Sequence, residues 1–76
     1  MKDKIDILIG NKLKDAMNSK RYSYQDVATK IGHLSRGAVS NYFNANRTIS
    51  IPMLIKFCKC LDLDYKELMD EIANEI

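Results

Sequence analysis

Residues that cross-link a chain or bind metals are scarce in this sequence. Its 76 residues include two cysteines, one histidine and no tryptophan. Cys58 and Cys60 are two positions apart in a helical stretch, so they point to different sides and a disulfide between them is disfavoured. His33 is the only histidine and no second cysteine pair exists, which leaves too few ligands for a zinc site. We therefore expect free, at least half-buried thiols, no metal and no cofactor.

Long apolar runs are also missing. The uncharged stretch Val39–Asn46 is short and polar, so the sequence predicts no membrane-spanning segment. Met1–Lys4 leads into an amphipathic segment without an apolar core, which predicts no secretion signal and a cytoplasmic protein. A composition of 46% hydrophobic and 29% charged residues is typical of a globular domain. Residues 1–76 leave room for a single domain with a small core.

The two ends of the chain differ in charge. Residues 1–50 contain nine Lys/Arg and four Asp/Glu, a net charge of +5, whereas residues 51–76 contain three and six, a net charge of −3. No acidic residue lies between Asp26 and Asp62, a stretch with five basic residues. A basic middle next to an acidic end indicates a surface for a polyanion, although charged stretches are usually only solvated.

The apolar pattern predicts an all-α protein. Residues of one apolar face recur every four positions at the start of the chain, at Ile5, Ile9, Leu13 and Met17. Four further helices are expected to begin after the polar N-cap residues Ser23, Ser35, Ser50 and Asp64. Ser23 and Asp64 are each followed three residues later by a carboxylate, which is typical of a capping box. The sequence thus predicts five helices and no strands, the second helix ending at Gly32.

The connection between the second and third helices is short. Only Gly32, His33 and Leu34 separate the end of one helix from the N-cap of the next. Two short helices joined by such a turn cross steeply, as in a helix-turn-helix, whose core we place at about residues 23–45. The outer face of the third helix then carries Arg36 and short polar side chains, which is what contact with base edges in a major groove requires.

Residues 22–68 resemble the phage repressor and Cro type of helix-turn-helix, also called the xenobiotic-response-element type. The resemblance rests on an ordered set of residues and their spacing: Ser23, Val27-Ala28, Gly32, Ser35, Ala38-Val39-Ser40, Arg47, Ser50, Leu54, Leu61 and Asp64 to Leu68. It implies a compact five-helix, lambda-repressor-like domain that binds operator DNA, often as a dimer. The implied activity is that of a small phage- or mobile-element-type repressor that reads the major groove of double-stranded DNA with helix three.

The resemblance also implies roles for individual residues of the third helix and the loop after it. Ser35 opens the recognition helix, and Arg36 and Gly37 occupy positions that commonly touch bases. Asn41 occupies another base-contacting position. Apart from the resemblance, Ser40 is a short polar residue on the same face that either reaches base edges or only permits close approach. Positions that often contact phosphates follow at Asn44, Asn46 and Arg47.

The chain departs from the family pattern at four places. Tyr24 stands where the family has a phosphate-binding glutamine, so either its hydroxyl or the neighbouring Gln25 is expected to take that role. The turn before Ser35 is one residue longer than usual. Gly37 offers no side chain and costs about 1 kcal/mol of helix stability. Asp62 replaces a turn glycine.

The C-terminal helix, at about residues 65–75, is expected to carry more apolar surface than the small core needs. Its apolar residues Leu68, Met69, Ile72 and Ile76 are predicted to form the interface of a symmetric homodimer.

An alternative reading remains open. The acidic face of this helix could instead bind a protein partner, as in an antitoxin or a phage regulator. An enzyme is not expected, because the sequence offers no nucleophile with a base, no phosphate loop and no metal cluster.

Overall fold

Residues 2–76 are described by a computed structural model. Within this range the chain forms α1 (Lys4–Ser19), α2 (Tyr24–Ile31), α3 (Arg36–Phe43), α4 (Ile51–Cys60) and α5 (Tyr65–Asn74), and no strand. Helix α3 packs against both α1 and α2, while α4 packs on α2 and α5 on α1. The prediction of an all-α, five-helix domain is confirmed.

The helices begin where the sequence places their caps. The side chains of Ser23, Ser35 and Ser50 each accept a hydrogen bond from the backbone N–H three residues on. Asp26 completes the capping box of α2 by accepting from the Ser23 backbone N–H at 2.8 Å. Asp64 caps α5, where it accepts from two backbone N–H groups. Each cap of this kind contributes about 1 kcal/mol to the stability of its helix.

The core is apolar and includes every helix. Leu13, Val27, Val39 and Phe57 are completely buried, and Phe43 is 1% exposed. The rings of Phe43 and Phe57 meet edge to face with centroids 5.0 Å apart, a geometry that adds stabilisation beyond the buried area. This aromatic contact joins α3 directly to α4.

Helix α1 crosses α3 at a glycine. A Cβ atom built on Gly10 would lie 2.3 Å from the carbonyl oxygen of Phe43, which is closer than any real contact. A larger residue would therefore push the two helices apart. The position of α3 depends on this small residue, which the sequence pattern of α1 does not single out.

Helix α5 closes the core with two of the four residues predicted for a dimer interface. Leu68 and Ile72 are each 4% exposed and belong to the core of the same domain. Met69 is half-buried against that core, whereas Ile76 is 68% exposed beyond the end of the helix. The four residues do not form one exposed stripe, because a core this small needs the inner face of α5 to close it.

Part of the acidic face of α5 is used within the domain. The Lys12 ammonium on α1 lies 3.1 Å from a carboxylate oxygen of Glu71 and 3.7 Å from one of Glu75. The hydrogen bond to Glu71 raises the pKa of Lys12, opposed by desolvation. These pairs link α5 to α1 at the surface, where both carboxylates remain largely exposed.

Candidate nucleic-acid interface

Helices α2 and α3 form the expected helix-turn-helix. Gly32 ends α2 in the left-handed conformation at φ 98°, which glycine adopts without a steric penalty. Leu34 is half-buried in the turn and packs against the core. Ser35 then starts α3, its hydroxyl oxygen accepting from the Ala38 N–H at 3.1 Å. This hydrogen bond shows that Ser35 caps α3.

The outer face of α3 is polar and accessible. Arg36, Gly37 and Asn41 are exposed, and Ser40 is half-buried beside them. The opposite face carries Val39 and Phe43 into the core. Because of the helical period, one face of α3 packs against the core, and the polar residues of the opposite face remain accessible to a ligand.

A concave site of about 540 Å³ lies beside the start of α3. It brings together three residues named from the sequence, Tyr24, Gln25 and Arg36, with Lys14 and Asn18 of α1. None of the residues that line it is acidic. The first backbone N–H groups of α2 have no partner within that helix, and a helix N-terminus favours negative charge. The site thus offers hydrogen-bond donors and two cations to an anion.

Two predicted contact residues in α2 have defined surroundings. The ring of Tyr24 packs edge to face on Phe43, with centroids 6.0 Å apart, and its hydroxyl oxygen accepts from the Asn44 amide at 3.3 Å. Gln25 is exposed, and its amide donates to the Thr29 hydroxyl one turn on at 3.2 Å. Tyr24 is thus held by contacts with α3, whereas Gln25 contacts only its own helix.

Asn44, which the resemblance places as a phosphate contact, is only partly exposed. It is half-buried at the C-cap of α3, and its amide nitrogen donates to the Ser40 carbonyl at 2.8 Å and to the Tyr24 hydroxyl. Its amide oxygen accepts from the Lys14 ammonium at 3.2 Å. Its polar atoms therefore have partners on three helices before any ligand arrives.

The loop after α3 presents the remaining predicted residues. Asn46 and Arg47 are both exposed, and the Arg47 guanidinium lies over the Tyr42 ring, 5.0 Å from its centroid. Ala45 adopts φ 61°, a left-handed conformation that is unusual for alanine and turns the chain away from α3. The Thr48 hydroxyl donates to Asp6 at 2.9 Å, which fixes the loop against α1.

Sequence reasoning missed the contribution of α1 to this surface. Lys14 and Asn18 line the concave site, and the Lys2 ammonium donates to the Asn44 carbonyl at 2.7 Å. All three lie at least six residues before Tyr24; Lys14 and Asn18 appear in the sequence only as polar positions of the first helix, and Lys2 precedes that helix. No local signal marks them, because their proximity to α3 results from helix packing.

Other chemistry has little support among residues 2–76. They include no group of three His, Cys, Asp or Glu side chains placed to hold a metal ion. Cys58 and Cys60 are free, as expected, and burial raises the pKa of both thiols, which disfavours the reactive thiolate. No helix in this range is both long and apolar enough to cross a membrane.

A helix-turn-helix braced by three further helices, with its polar face outward, defines the class of DNA-binding regulatory domains. A model of the helix-turn-helix family HTH_3 matches residues 13–68, which is most of the chain. The chain therefore belongs to this family of Cro/C1-type helix-turn-helix domains. The resemblance seen in the sequence is confirmed, and the family is regulatory and not enzymatic. A search of curated proteins found no match.

Proposed function

We propose that the protein is a sequence-specific repressor that binds double-stranded DNA with α3 in the major groove. The observation that carries this proposal is the exposed face of α3, where Arg36, Gly37 and Asn41 lie beside the concave basic site. Base edges would be read by α3, and a phosphate of the same DNA strand would bind between Lys14, Tyr24 and the start of α2. The net charge of +5 on residues 1–50 supports salt-sensitive attraction to the DNA backbone.

We propose two kinds of contact with DNA. The guanidinium of Arg36 can donate two hydrogen bonds to N7 and O6 of guanine, which gives sequence discrimination of about 1–3 kcal/mol. Asn46 and Arg47, in the exposed loop beyond α3, are proposed to contact phosphates. Contacts of the second kind supply affinity and fix the position of α3 without reading sequence.

Selection from a pool of random DNA duplexes, followed by sequencing, tests this function. A recovered inverted repeat with half-sites about 34 Å apart, or a multiple of that distance, would support a dimeric reader. A single unrepeated motif would support a monomeric reader. If folded protein enriches no DNA sequence even at low salt, sequence-specific DNA binding is contradicted. A protein-interaction module would then be the better explanation.

Arg36→Ala is the sharpest variant for this assay. It is expected to weaken binding to the selected sequence more than binding to random duplexes, by about tenfold or more. Lys66→Ala is the matched control, because it removes an equal charge from an exposed position on α5. If Arg36→Ala weakens binding to the selected sequence and to random duplexes equally, Arg36 contacts a phosphate and not a base.

We also propose that the regulator acts as a homodimer through the end of α5. Of the four residues named for this interface, Met69 and Ile76 retain access to solvent. Ile76→Asp should abolish self-association in sedimentation experiments, whereas Ile5→Asp, an equal change on α1, should not. Leu68→Asp cannot test the interface, because it would place a charge in the core. A wild-type protein that remains monomeric at high micromolar concentration would contradict the proposal.

A further inference from the structure

We propose that Asn44 is a positioning residue, which orients Tyr24 and Lys14 toward a DNA phosphate without contacting DNA itself. This inference rests on the proposed function, since it concerns the phosphate site beside α3. It assigns Asn44 a different role from the direct phosphate contact expected from its place in the sequence.

The hydrogen bonds of Asn44 define that role. Its amide nitrogen donates to the Tyr24 hydroxyl oxygen at 3.3 Å, and its amide oxygen accepts from the Lys14 ammonium at 3.2 Å. The second proton of that nitrogen points to Ser40, where it is shared between the carbonyl oxygen at 2.8 Å and the hydroxyl oxygen at 3.3 Å. Asn44 therefore joins α1, α2 and α3 through one side chain.

The direction of the bond to Tyr24 determines what the hydroxyl can do next. A phenol has one proton to donate. Because the Tyr24 oxygen accepts from Asn44, that proton stays available for an acceptor in the concave site. An anionic phosphate oxygen is such an acceptor, and hydrogen bonds to charged groups are the stronger ones.

The bond to Lys14 has a similar effect. An ammonium has three donors, of which Asn44 engages one. The remaining donors stay on a side chain that is held at the concave site and is half-buried. Fixing a flexible lysine before binding lowers the entropy that is lost when it meets a phosphate.

The fixed geometry also argues against a direct role for Asn44. Its amide nitrogen already serves Tyr24 and Ser40, and its backbone carbonyl accepts from Lys2 at 2.7 Å. Turning the side chain toward DNA would break the Ser40 and Lys14 bonds, which leaves two polar groups in need of new partners.

A double-mutant cycle between Asn44 and Tyr24 tests the proposal. Binding of a mixed-sequence duplex of about 20 base pairs is measured at several salt concentrations by fluorescence anisotropy. Tyr24→Phe is expected to weaken binding about tenfold, and Asn44→Ala by at least as much because it also releases Lys14; the double variant should bind no more weakly than Asn44→Ala alone. Asn46→Ala is the matched control. Because Asn46 is proposed to contact DNA independently, its fold-loss in affinity should multiply with that of Tyr24→Phe in the double variant.

The salt dependence separates positioning from a purely structural role. In Asn44→Ala, Lys14 is released, so affinity should fall less steeply with salt. The slope of log affinity against log salt should decrease in magnitude by about one, as it should in Lys14→Met. Thermal unfolding reports the folded fraction of each variant. If Asn44→Ala does not fold, Asn44→Ser replaces it, since serine is too short to reach both partners.

Each result has a definite meaning. If the two losses multiply in the cycle, Asn44 affects binding independently of Tyr24, which would overturn the inference. If folded Asn44→Ala keeps the wild-type affinity and salt slope, Asn44 has only a structural role at the C-cap of α3. That result would also overturn the inference. Failure of the wild-type protein to bind any duplex would overturn the proposed function itself.

Discussion

Replacing Gly37 by alanine should stabilise the protein and weaken its DNA binding at the same time. Gly37 is the second residue of α3 and has ordinary helical backbone angles. A Cβ atom there would have only the Ser35 hydroxyl within 4 Å, at a distance of 3.9 Å. Alanine therefore fits without strain, and nothing inside the domain explains why glycine stands at this position.

The magnitude follows from helix propensity. Glycine is about 0.5 to 1 kcal/mol less favourable than alanine in a helix, so Gly37→Ala should raise the free energy of unfolding by that amount. For a domain of this size the melting temperature should rise by about 2–8 °C. Circular dichroism during thermal unfolding measures this shift directly.

The expected loss of binding has a steric cause. If the first turn of α3 lies against the bases, an added methyl group at Gly37 meets the DNA, and affinity for the selected sequence should fall about tenfold or more. Wild-type affinity in a stabilised variant would refute the close approach of this turn. A variant that is no more stable than wild type would refute the structural account of Gly37 as an unstrained helical position.

Two further predictions concern the scaffold that positions α3. Gly10→Ala should have the opposite effect on stability and lower it by about 1–3 kcal/mol, because the new methyl group collides with the Phe43 carbonyl; an unchanged urea midpoint would contradict this. Hydrogen bonds from the backbone and hydroxyl of Ser23 lower the pKa of Asp26. The resulting stabilisation is present above the ordinary aspartate value of about 3.9 and is lost as the pH falls through the lower folded value. Asp26→Asn should therefore destabilise the protein at neutral pH and lose its difference from wild type near pH 2, whereas Asp70→Asn, an exposed carboxylate on α5, should differ little from wild type at either pH. An Asp26→Asn difference that persists undiminished in acid would contradict the pKa argument.

The helix pattern and the turns could be read from the sequence because they depend on neighbouring residues. Ser23, Ser35 and Ser50 cap helices through backbone groups three residues away, and Gly32 ends α2 because its own φ is positive. The family also follows from the order and spacing of such signals. Arg36, Gly37 and Asn41 could be placed on an outer face because the helical period alone assigns them to it.

Residues whose role depends on distant contacts could not be read in this way. Leu68 and Ile72 have the pattern of an apolar edge, but only the packing of α5 on α1 shows that this edge closes the core. Asn44 has the sequence position of a phosphate contact, yet its amide is engaged by groups 20 and 30 residues away. Lys14 carries no local signal at all.

The sequence by itself determined the five helices, their caps and the outward face of α3, because hydrogen bonding and hydrophobic period act over three or four residues. The tertiary structure alone decided which polar side chains meet in the concave site and which apolar ones remain exposed. The physical reason is that three helices must pack before Lys14, Tyr24 and Asn44 come within hydrogen-bonding distance. Gly10 permits the close approach of α1 and α3 on which that arrangement depends.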